Sequence, residues 1–230
     1  MVQNRDAFSF FDEVVGEGKA IYTSAGVLGH GERTFVVARI PQEFYIKDDA
    51  YEEYVVLNNS HDGSYALRVM TTAVRVVCQN TLNMALRTHR AKVTLRHTTN
   101  VHDRLSQATA LLGLVNEQFR QTEKLFNALA NKPLTHPLFN QYVEELFPHY
   151  GDNPGKRTRE HREGVAEALA HEWNQISGIK DTWYSAFNAA TQYVDWQYET
   201  KTPQLENALF GSGANIKQRA LSLATKFAEV

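Results

Sequence analysis

The sequence predicts an α+β protein: an antiparallel sheet of β-hairpins, a long helix that covers it, and a C-terminal helical bundle. Three observations support this prediction. Up to residue 77, runs rich in valine, tyrosine and threonine alternate with turn signals, as in hairpins. From Asp103 onwards, apolar residues recur at helical spacing. Two prolines in Lys132–Pro137 then interrupt the helical pattern. We therefore expect an α+β part at residues 1–131 and a helical part at residues 132–230, packed as one unit.

The first third of the chain is predicted to form a short helix and two hairpins. Asp6 can cap a helix whose apolar residues share one stripe, and the glycine-rich loop 29–32 joins two strands. Pro41 is expected to stop strand pairing, and Gln42–Asp49, which has no clear period, to form a loop. Asp62-Gly63 is a strong turn signal because both residues tolerate a positive φ. The predicted elements are a helix at Asp6–Val15 and strands at Ala20–Leu28, Arg33–Ile40, Tyr51–Asn58 and Ser64–Val77.

A junction at Leu67–Thr99 connects the strands to the later helices. Within it we predict a helix at Asn80–Arg90, capped by its first or second residue, and then a strand at Lys92–Thr98. The junction also contains Cys78. This thiol is either activated by the helix N-terminus and nearby arginines or, as its apolar neighbours favour, a small buried hydrophobic residue.

A long helix is predicted from Asp103, its cap, to about Asn131. Apolar residues at alternate spacings of three and four positions form a seam along this helix, and only a threonine interrupts it. The seam packs either on the sheet and later helices or on the same helix of a second copy, which would make a homo-oligomer. Its members are Leu105, Ala108, Leu112, Val115, Phe119, Thr122, Phe126 and Leu129. Later helices are predicted at Leu138–Phe147, Lys156–Gln175, Asp181–Thr200, Pro203–Leu209 and Asn215–Val230.

Composition excludes several classes of protein. The chain is 43% hydrophobic and 22% charged, which permits a core and argues against disorder. No apolar run approaches the roughly 18 residues of a membrane span, and acids interrupt the N-terminal apolar run, unlike a signal peptide. One cysteine excludes an internal disulfide and fits a reducing compartment. We expect a cytoplasmic protein with no membrane partner.

Charge is distributed unevenly along the chain. Residues 1–67 carry five basic and eleven acidic side chains, whereas residues 68–104 carry seven basic and one acidic. A local basic surplus in a chain of formal net charge −2 favours a polyanion on one face. The alternative is that the surplus pairs with the acidic N-terminal third. The predicted phosphate contacts in this segment are Arg68, Arg75, Arg87, Arg90, Lys92 and Arg96.

The glycine-rich stretch at residues 211–215 offers a further anion site. It precedes a predicted helix N-terminus, where free N–H groups attract anions, and Lys217 and Arg219 follow it. We include Lys217 among the predicted nucleic-acid-binding residues. The alternative is a helix–helix turn in which Gly211 ends one helix and Asn215 caps the next.

No strong catalytic signature is present, because the sequence lacks CxxC, HExxH, GxSxG and P-loop motifs. We expect no cofactor and no dedicated metal centre. The polar stripe of Asn188, Thr191 and Asp195 on one predicted helix either networks with other helices or lines a site. A metal site would need the fold to gather scattered histidines and carboxylates. The residues that could form a polar cleft are His61, Asp62, Asn80, His97, Asn188 and Asp195.

Several motifs, in order, resemble those of the phage/plasmid-like protein family, domain of unknown function 932. Members typically carry a further segment before the position of Val2-Gln3-Asn4, so this chain is expected to be a natural short form or a trimmed one. The resemblance implies a mobile-element setting and brings no established activity. The matching motifs are Ser60-His61-Asp62-Gly63-Ser64, Arg75-Val76-Val77-Cys78-Gln79-Asn80-Thr81-Leu82, Arg96-His97-Thr98, Asn188-Ala189-Ala190-Thr191-Gln192-Tyr193-Val194-Asp195, and Phe210-Gly211-Ser212-Gly213-Ala214 with Lys217.

The leading hypothesis is a nucleic-acid-binding protein, used for single-stranded DNA binding or annealing in recombination, and more a binder than an enzyme. The second is a counter-defence or host-takeover protein that binds a host protein or a signalling nucleotide. The third is a metal-dependent enzyme built on His61, Asp62, His97 and Asp195.

Overall fold

The computed structural model describes residues 12, 18–28, 30–62, 68–75, 81–84, 101–149, 151, 153–175 and 177–230. In these parts of the chain, five strands are followed by six α-helices. The strands are β1 (Ile21–Leu28), β2 (Arg33–Ile46), β3 (Asp49–Ser60), β4 (Arg68–Arg75) and β5 (Thr81–Met84). The helices are α1 (Val101–Ala130), α2 (His136–Leu146), α3 (Lys156–Gln175), α4 (Trp183–Trp196), α5 (Gln204–Phe210) and α6 (Ser212–Ala228), with a 3₁₀ turn at Ser177–Ile179. The predicted α+β class with a C-terminal helical region is confirmed.

The strands form one sheet in the order β1-β2-β3-β4-β5. β1 and β2 are antiparallel, from Ile21 opposite Arg39 to Leu28 opposite Arg33, with a register shift after Tyr22. This confirms the first predicted hairpin, and residues 30–32 of its predicted connection form a turn. The second predicted hairpin corresponds to β3 and β4, which are neighbours in the sheet. Residues 64–67 and 76–77 of its second predicted strand lie outside the described residues.

The prediction that Pro41 ends the pairing and that Gln42–Asp49 is a loop is wrong. β2 continues through the proline to residue 46, and β3 begins at residue 49. Phe44 and Ile46 are buried and alternate with exposed neighbours, which is the period of a strand. Within the described residues the pairing with β1 ends at Arg39. The proline therefore stands where β2 has become an edge on that side, and edge strands tolerate proline.

Two further predictions fail at the junction and at the long helix. Thr81–Met84 is a strand of the sheet and not the first turn of a helix, because pairing overrides the weak local capping signal. α1 begins at Val101, so Asp103 lies inside the first turn and is not the cap. Residues 85–90 of the predicted helix lie outside the described residues, as do Cys78, the predicted strand Lys92–Thr98 and, apart from Asp12, the predicted N-terminal helix.

The seam of α1 is buried over the part whose side chains are described. Phe119 packs against Phe44, with ring centroids 6.4 Å apart, and Phe126 lies 5.4 Å from Phe187. The seam thus packs within its own chain, as one of the two alternatives predicted. A homo-oligomer through this helix stays a prediction. The described seam members that are buried are Val115, Phe119, Thr122, Phe126 and Leu129.

The proline-rich break after α1 is confirmed, and it is held by the start of α4. Leu134 N–H donates to the Asp181 carbonyl at 2.8 Å, and Trp183 N–H donates to the Lys132 carbonyl at 3.1 Å. The later helices match their predicted positions closely, and α3 has the predicted bounds. Asn215 is not a cap, because α6 already begins at Ser212.

The chain divides into two units. Unit 1 comprises Met1–Phe44, Glu52–Val74 and Met84–Gln121, and unit 2, the helical unit, comprises Tyr45–Tyr51, Arg75–Asn83 and Thr122–Val230. The helical unit has an aromatic core in which Trp183 stacks on Phe227 at 5.4 Å and meets Tyr142 edge-on. The predicted division after residue 131 stays a prediction. No described helix combines the length and apolar character that crossing a membrane requires.

Candidate functional site

The central helix of the helical unit is α4, and it carries the polar stripe singled out in the sequence. Twelve of its fourteen residues are buried. Thr182 caps it, because the threonine side chain accepts a hydrogen bond from Ser185 N–H at 3.3 Å. A helix buried on nearly all sides must satisfy every polar side chain through other parts of the protein. Its stripe therefore shows which elements it is tied to.

The C-terminal end of the stripe forms a buried ion pair with α6. The Lys217 ammonium donates to Asp195 Oδ1 at 2.7 Å, and the two side chains are only 2% and 7% exposed. Burial lowers the pKa of Lys217, while the carboxylate of Asp195 acts in the opposite direction. Removing charges from water is costly, so the pair is maintained by its close geometry.

The glycine-rich turn packs beside this pair. Asn207 Oδ1 accepts hydrogen bonds from Gly213 N–H at 2.9 Å and from the Ser212 hydroxyl at 3.1 Å. A Cβ at Gly213 would lie 3.0 Å from Val194 Cγ1, so the glycine allows α6 to approach α4 closely. Of the helix–helix turn predicted as the alternative to a phosphate cradle, the first half is confirmed, because Gly211 ends α5. The second half is wrong, because Gly211 and not Asn215 also precedes the next helix, α6.

A second buried network ties the N-terminal half of α4 to the turn between β2 and β3. The Tyr184 hydroxyl lies 2.6 Å from Asp49 Oδ2 and 2.6 Å from the Tyr51 hydroxyl. Tyr51 in turn donates to Asn188 Oδ1 at 3.2 Å. The turn is also held by Lys47, whose ammonium donates to the Gly178 carbonyl at 2.9 Å. These bonds explain why residues 45–51 belong to the helical unit.

An aromatic cluster with a histidine at its centre joins α3 to the end of α4. His161 Nδ1 lies 2.5 Å from the Tyr193 hydroxyl, and its ring packs against Phe147 and Tyr198. Burial, reinforced by the positive charge of Arg157, lowers the pKa of His161. Burial also raises the pKa of Tyr193 to about 12. Both groups are therefore neutral near pH 7, as a hydrogen-bonded pair in a low-dielectric cluster requires.

The predicted phosphate contacts fall mostly where side chains are not described. Arg68 and Arg75 lie on β4, and Arg87, Arg90, Lys92 and Arg96 lie outside the described residues. Lys217 is buried and bonded to Asp195. Contact of these seven residues with nucleic acid stays a prediction.

The predicted polar cleft also stays a prediction. Asn188 and Asp195 lie on one side of α4, whereas His61 and Asp62 belong to unit 1. There, His61 N–H donates to the Glu32 carbonyl at 2.8 Å, and Asp62 Oδ2 lies 3.7 Å from Arg33 Nε. The predicted turn continues at Gly63, which lies outside the described residues. Asn80 and His97 lie outside the described residues. Among the residues that are described, no group of three or more His, Cys, Asp or Glu could hold a metal ion.

Sequence reasoning missed the tyrosine network and the burial of Lys217. The first was missed because Asp49 was assigned to a loop, although the alternation of Phe44 and Ile46 with polar neighbours already indicated a strand just before it. The second had a visible signal. The buried residues of α6 recur every three or four positions at Gly213, Lys217, Ala220, Ala224 and Ala228. A lysine on a stripe of small residues is expected to face a neighbouring helix.

Comparison with known proteins identifies the family and nothing more specific. A family model described as Domain of unknown function (DUF932) matches residues 1–210, so the chain belongs to that family. No curated protein and no solved structure matches the chain.

Proposed function

We propose that this member of the family is a phage- or plasmid-encoded protein that binds single-stranded DNA through residues 68–104, called here the basic segment. Recombination or replication of mobile DNA is the setting in which such binding would serve. The mobile-DNA setting is proposed because of the resemblance of the sequence motifs, and DNA binding is proposed because of the positive charge of the basic segment.

One observation carries the proposal: seven cations and a single acid in 37 consecutive residues of a chain whose formal net charge is −2. A uniformly basic protein attracts every polyanion, whereas a confined surplus directs a polyanion to one region. Phosphate contacts supply most of the affinity in nucleic-acid binding without sequence preference. Confined positive charge therefore fits a protein that binds strands regardless of sequence.

Fluorescence anisotropy with a labelled oligothymidylate, titrated at several salt concentrations, tests the proposal. The variant Arg90→Ala/Lys92→Ala removes two cations from the basic segment. If both contact phosphates, the slope of log affinity against log salt should fall by about 1.4, since each contact on a single strand contributes about 0.7.

A matched control removes two exposed cations elsewhere. Arg120→Ala/Lys124→Ala on α1 changes the net charge by the same amount. We expect it to leave the salt slope unchanged. Equal losses in the two variants, or wild-type protein that fails to bind at low salt, would contradict the proposal.

A further inference from the structure

We infer that a cleft of the helical unit binds a phosphate group of the same nucleic-acid strand; the identity of this ligand rests on the proposed function. The cleft has a volume of about 490 Å³ and lies where the C-terminal end of α2 meets α3 and α6. Arg162 and Arg219 both line it, together with His149. Two guanidinium groups and an imidazole at one cleft form a donor set suited to phosphate oxygens.

Arg162 is already oriented. Its Nε and Nη2 both donate to the Phe147 carbonyl, at 3.1 and 3.0 Å. The guanidinium is planar, and Nε and Nη2 lie along the edge that bonds to this carbonyl. The N–H groups of Nη1 lie on the opposite edge, where a ligand can accept from them. Glu144 Oε1 lies 3.8 Å from Nη1, but that glutamate side chain is 63% exposed. An ion pair with so exposed a carboxylate is weak, so a phosphate can replace Glu144 at Nη1.

Arg219 approaches from α6. Its Nη2 donates to the Glu145 carbonyl at 2.6 Å, which leaves its other donors for a ligand. The Glu145 carboxylate also lines the cleft, but its Oε2 already accepts from the Lys226 ammonium at 2.9 Å. The two arginines occupy carbonyls at the end of α2, so they also offset the negative end of the helix dipole, which would otherwise repel an anion.

His149 lines the cleft beside the two arginines. Its Nε2 is buried and has no hydrogen-bond partner within the described residues. A buried polar atom without a partner is costly, so a rotation of the ring that brings Nε2 to a phosphate oxygen in the cleft would gain affinity.

The first four residues of α3 include Lys156, Arg157 and Arg159 and no acid, although the N-terminal end of a helix favours acids. Arg159 is three residues before Arg162 and so lies on the same side of α3. Arg159 Nη1 donates to the Pro154 carbonyl at 2.5 Å, and Lys156 Nζ lies 3.6 Å from Glu160 Oε1, so Arg162 is the cation of α3 that lines the cleft.

Anisotropy titration of full-length protein with the labelled oligothymidylate tests the inference through a matched pair of variants. Arg219→Gln removes a cation that lines the cleft, whereas Lys226→Gln removes one from the same helix that also bonds to Glu145 but does not line it. We expect Arg219→Gln to weaken binding roughly tenfold and Lys226→Gln less than about twofold. Arg219→Lys, which keeps the charge and one donor, should restore part of the loss.

The outcomes separate this inference from the proposed function. If wild-type protein binds and Arg219→Gln binds equally well, or loses no more than Lys226→Gln, the cleft is not a phosphate site and the proposed function stands. If wild-type protein binds no oligonucleotide, both fail. Thermal melting of each variant shows whether it is folded. Arg219→Gln could bind weakly only because it melts far below wild type. If so, and if Arg219→Lys melts normally but does not regain affinity, the inference is also overturned.

Discussion

Replacing Lys217 by methionine tests whether the buried ion pair holds α6 against α4. Methionine keeps the length and helix propensity of lysine but removes the ammonium that lies 2.7 Å from Asp195 Oδ1. Breaking a buried pair by removing one partner typically costs about 3–5 kcal/mol, because the remaining charge is still buried. With side-chain exposures of 2% and 7%, this pair belongs to that class. We therefore expect the free energy of unfolding to fall by about 3–5 kcal/mol.

Urea unfolding followed by tryptophan fluorescence measures this change directly. The three tryptophans, Trp173, Trp183 and Trp196, all belong to the helical unit, so the signal reports that unit. With a slope of about 1–3 kcal/mol per molar urea, the midpoint should fall by roughly 1–5 M.

The double variant Asp195→Leu/Lys217→Met decides between an ion pair and simple packing. Replacing both charges by apolar residues of similar volume is often neutral or stabilising, so the double variant should be more stable than either single one. If Lys217→Met costs less than about 1 kcal/mol, or if the two single costs simply add, the reasoning is refuted.

Three further predictions follow from the other contacts of the helical unit. Tyr184→Phe removes the hydroxyl bonded to Asp49 and should lower the free energy of unfolding by about 1–3 kcal/mol in urea. Gly164→Ala places a methyl group 2.6 Å from Cδ2 of the Tyr193 ring, so calorimetry should show a loss of about 1–3 kcal/mol through overpacking. Because the pKa of His161 is lowered from 6.5 in the folded chain, the unfolded chain takes up the proton first, and stability should fall as pH drops below about 6.5. In His161→Gln, this part of the pH dependence should be smaller.

Controls for these three variants come from exposed positions of the same types. Tyr45→Phe removes the hydroxyl of an exposed tyrosine, and Gly155→Ala adds a Cβ with nothing within 4 Å. His136→Gln removes an exposed histidine. Each control should stay within about 0.5 kcal/mol of wild type. A control as costly as its partner variant, or a pH profile that His161→Gln leaves unchanged, would contradict the corresponding prediction.

The helices were predictable because their signal is periodic and local. The bounds of α3 follow from proline and glycine before it and a serine-glycine pair after it, and the seam of α1 follows from spacing alone. Strand limits depend on partners distant in sequence. In the sequence alone, Pro41 indicates the end of a strand, because the sequence does not show that β1 no longer pairs there. Thr81–Met84 likewise resembles a helix start, because the sequence does not show that β4 lies beside it.

The hydrogen-bond networks were not predictable because each unites distant parts of the chain. Tyr184 meets Asp49 across 135 positions, and Lys217 meets Asp195 across 22. Sequence pattern can indicate that a polar side chain is buried, as the stripe on α4 did for Asn188 and Asp195. It does not show which partner satisfies that side chain, because the partner is set by how helices pack.

Lys217 and Arg219 carry the same charge, but their side chains point to different sides of α6. Both follow the glycine-rich turn, and as cations they are equivalent candidates for phosphate. Two residues along a helix, however, turn a side chain by about 200°, so the pair must face opposite sides. The small-residue stripe of α6 places Lys217 inward, against Asp195, and that same stripe places Arg219 outward, at the cleft. Between the two, the helical period favours Arg219 as the cation available to an external phosphate.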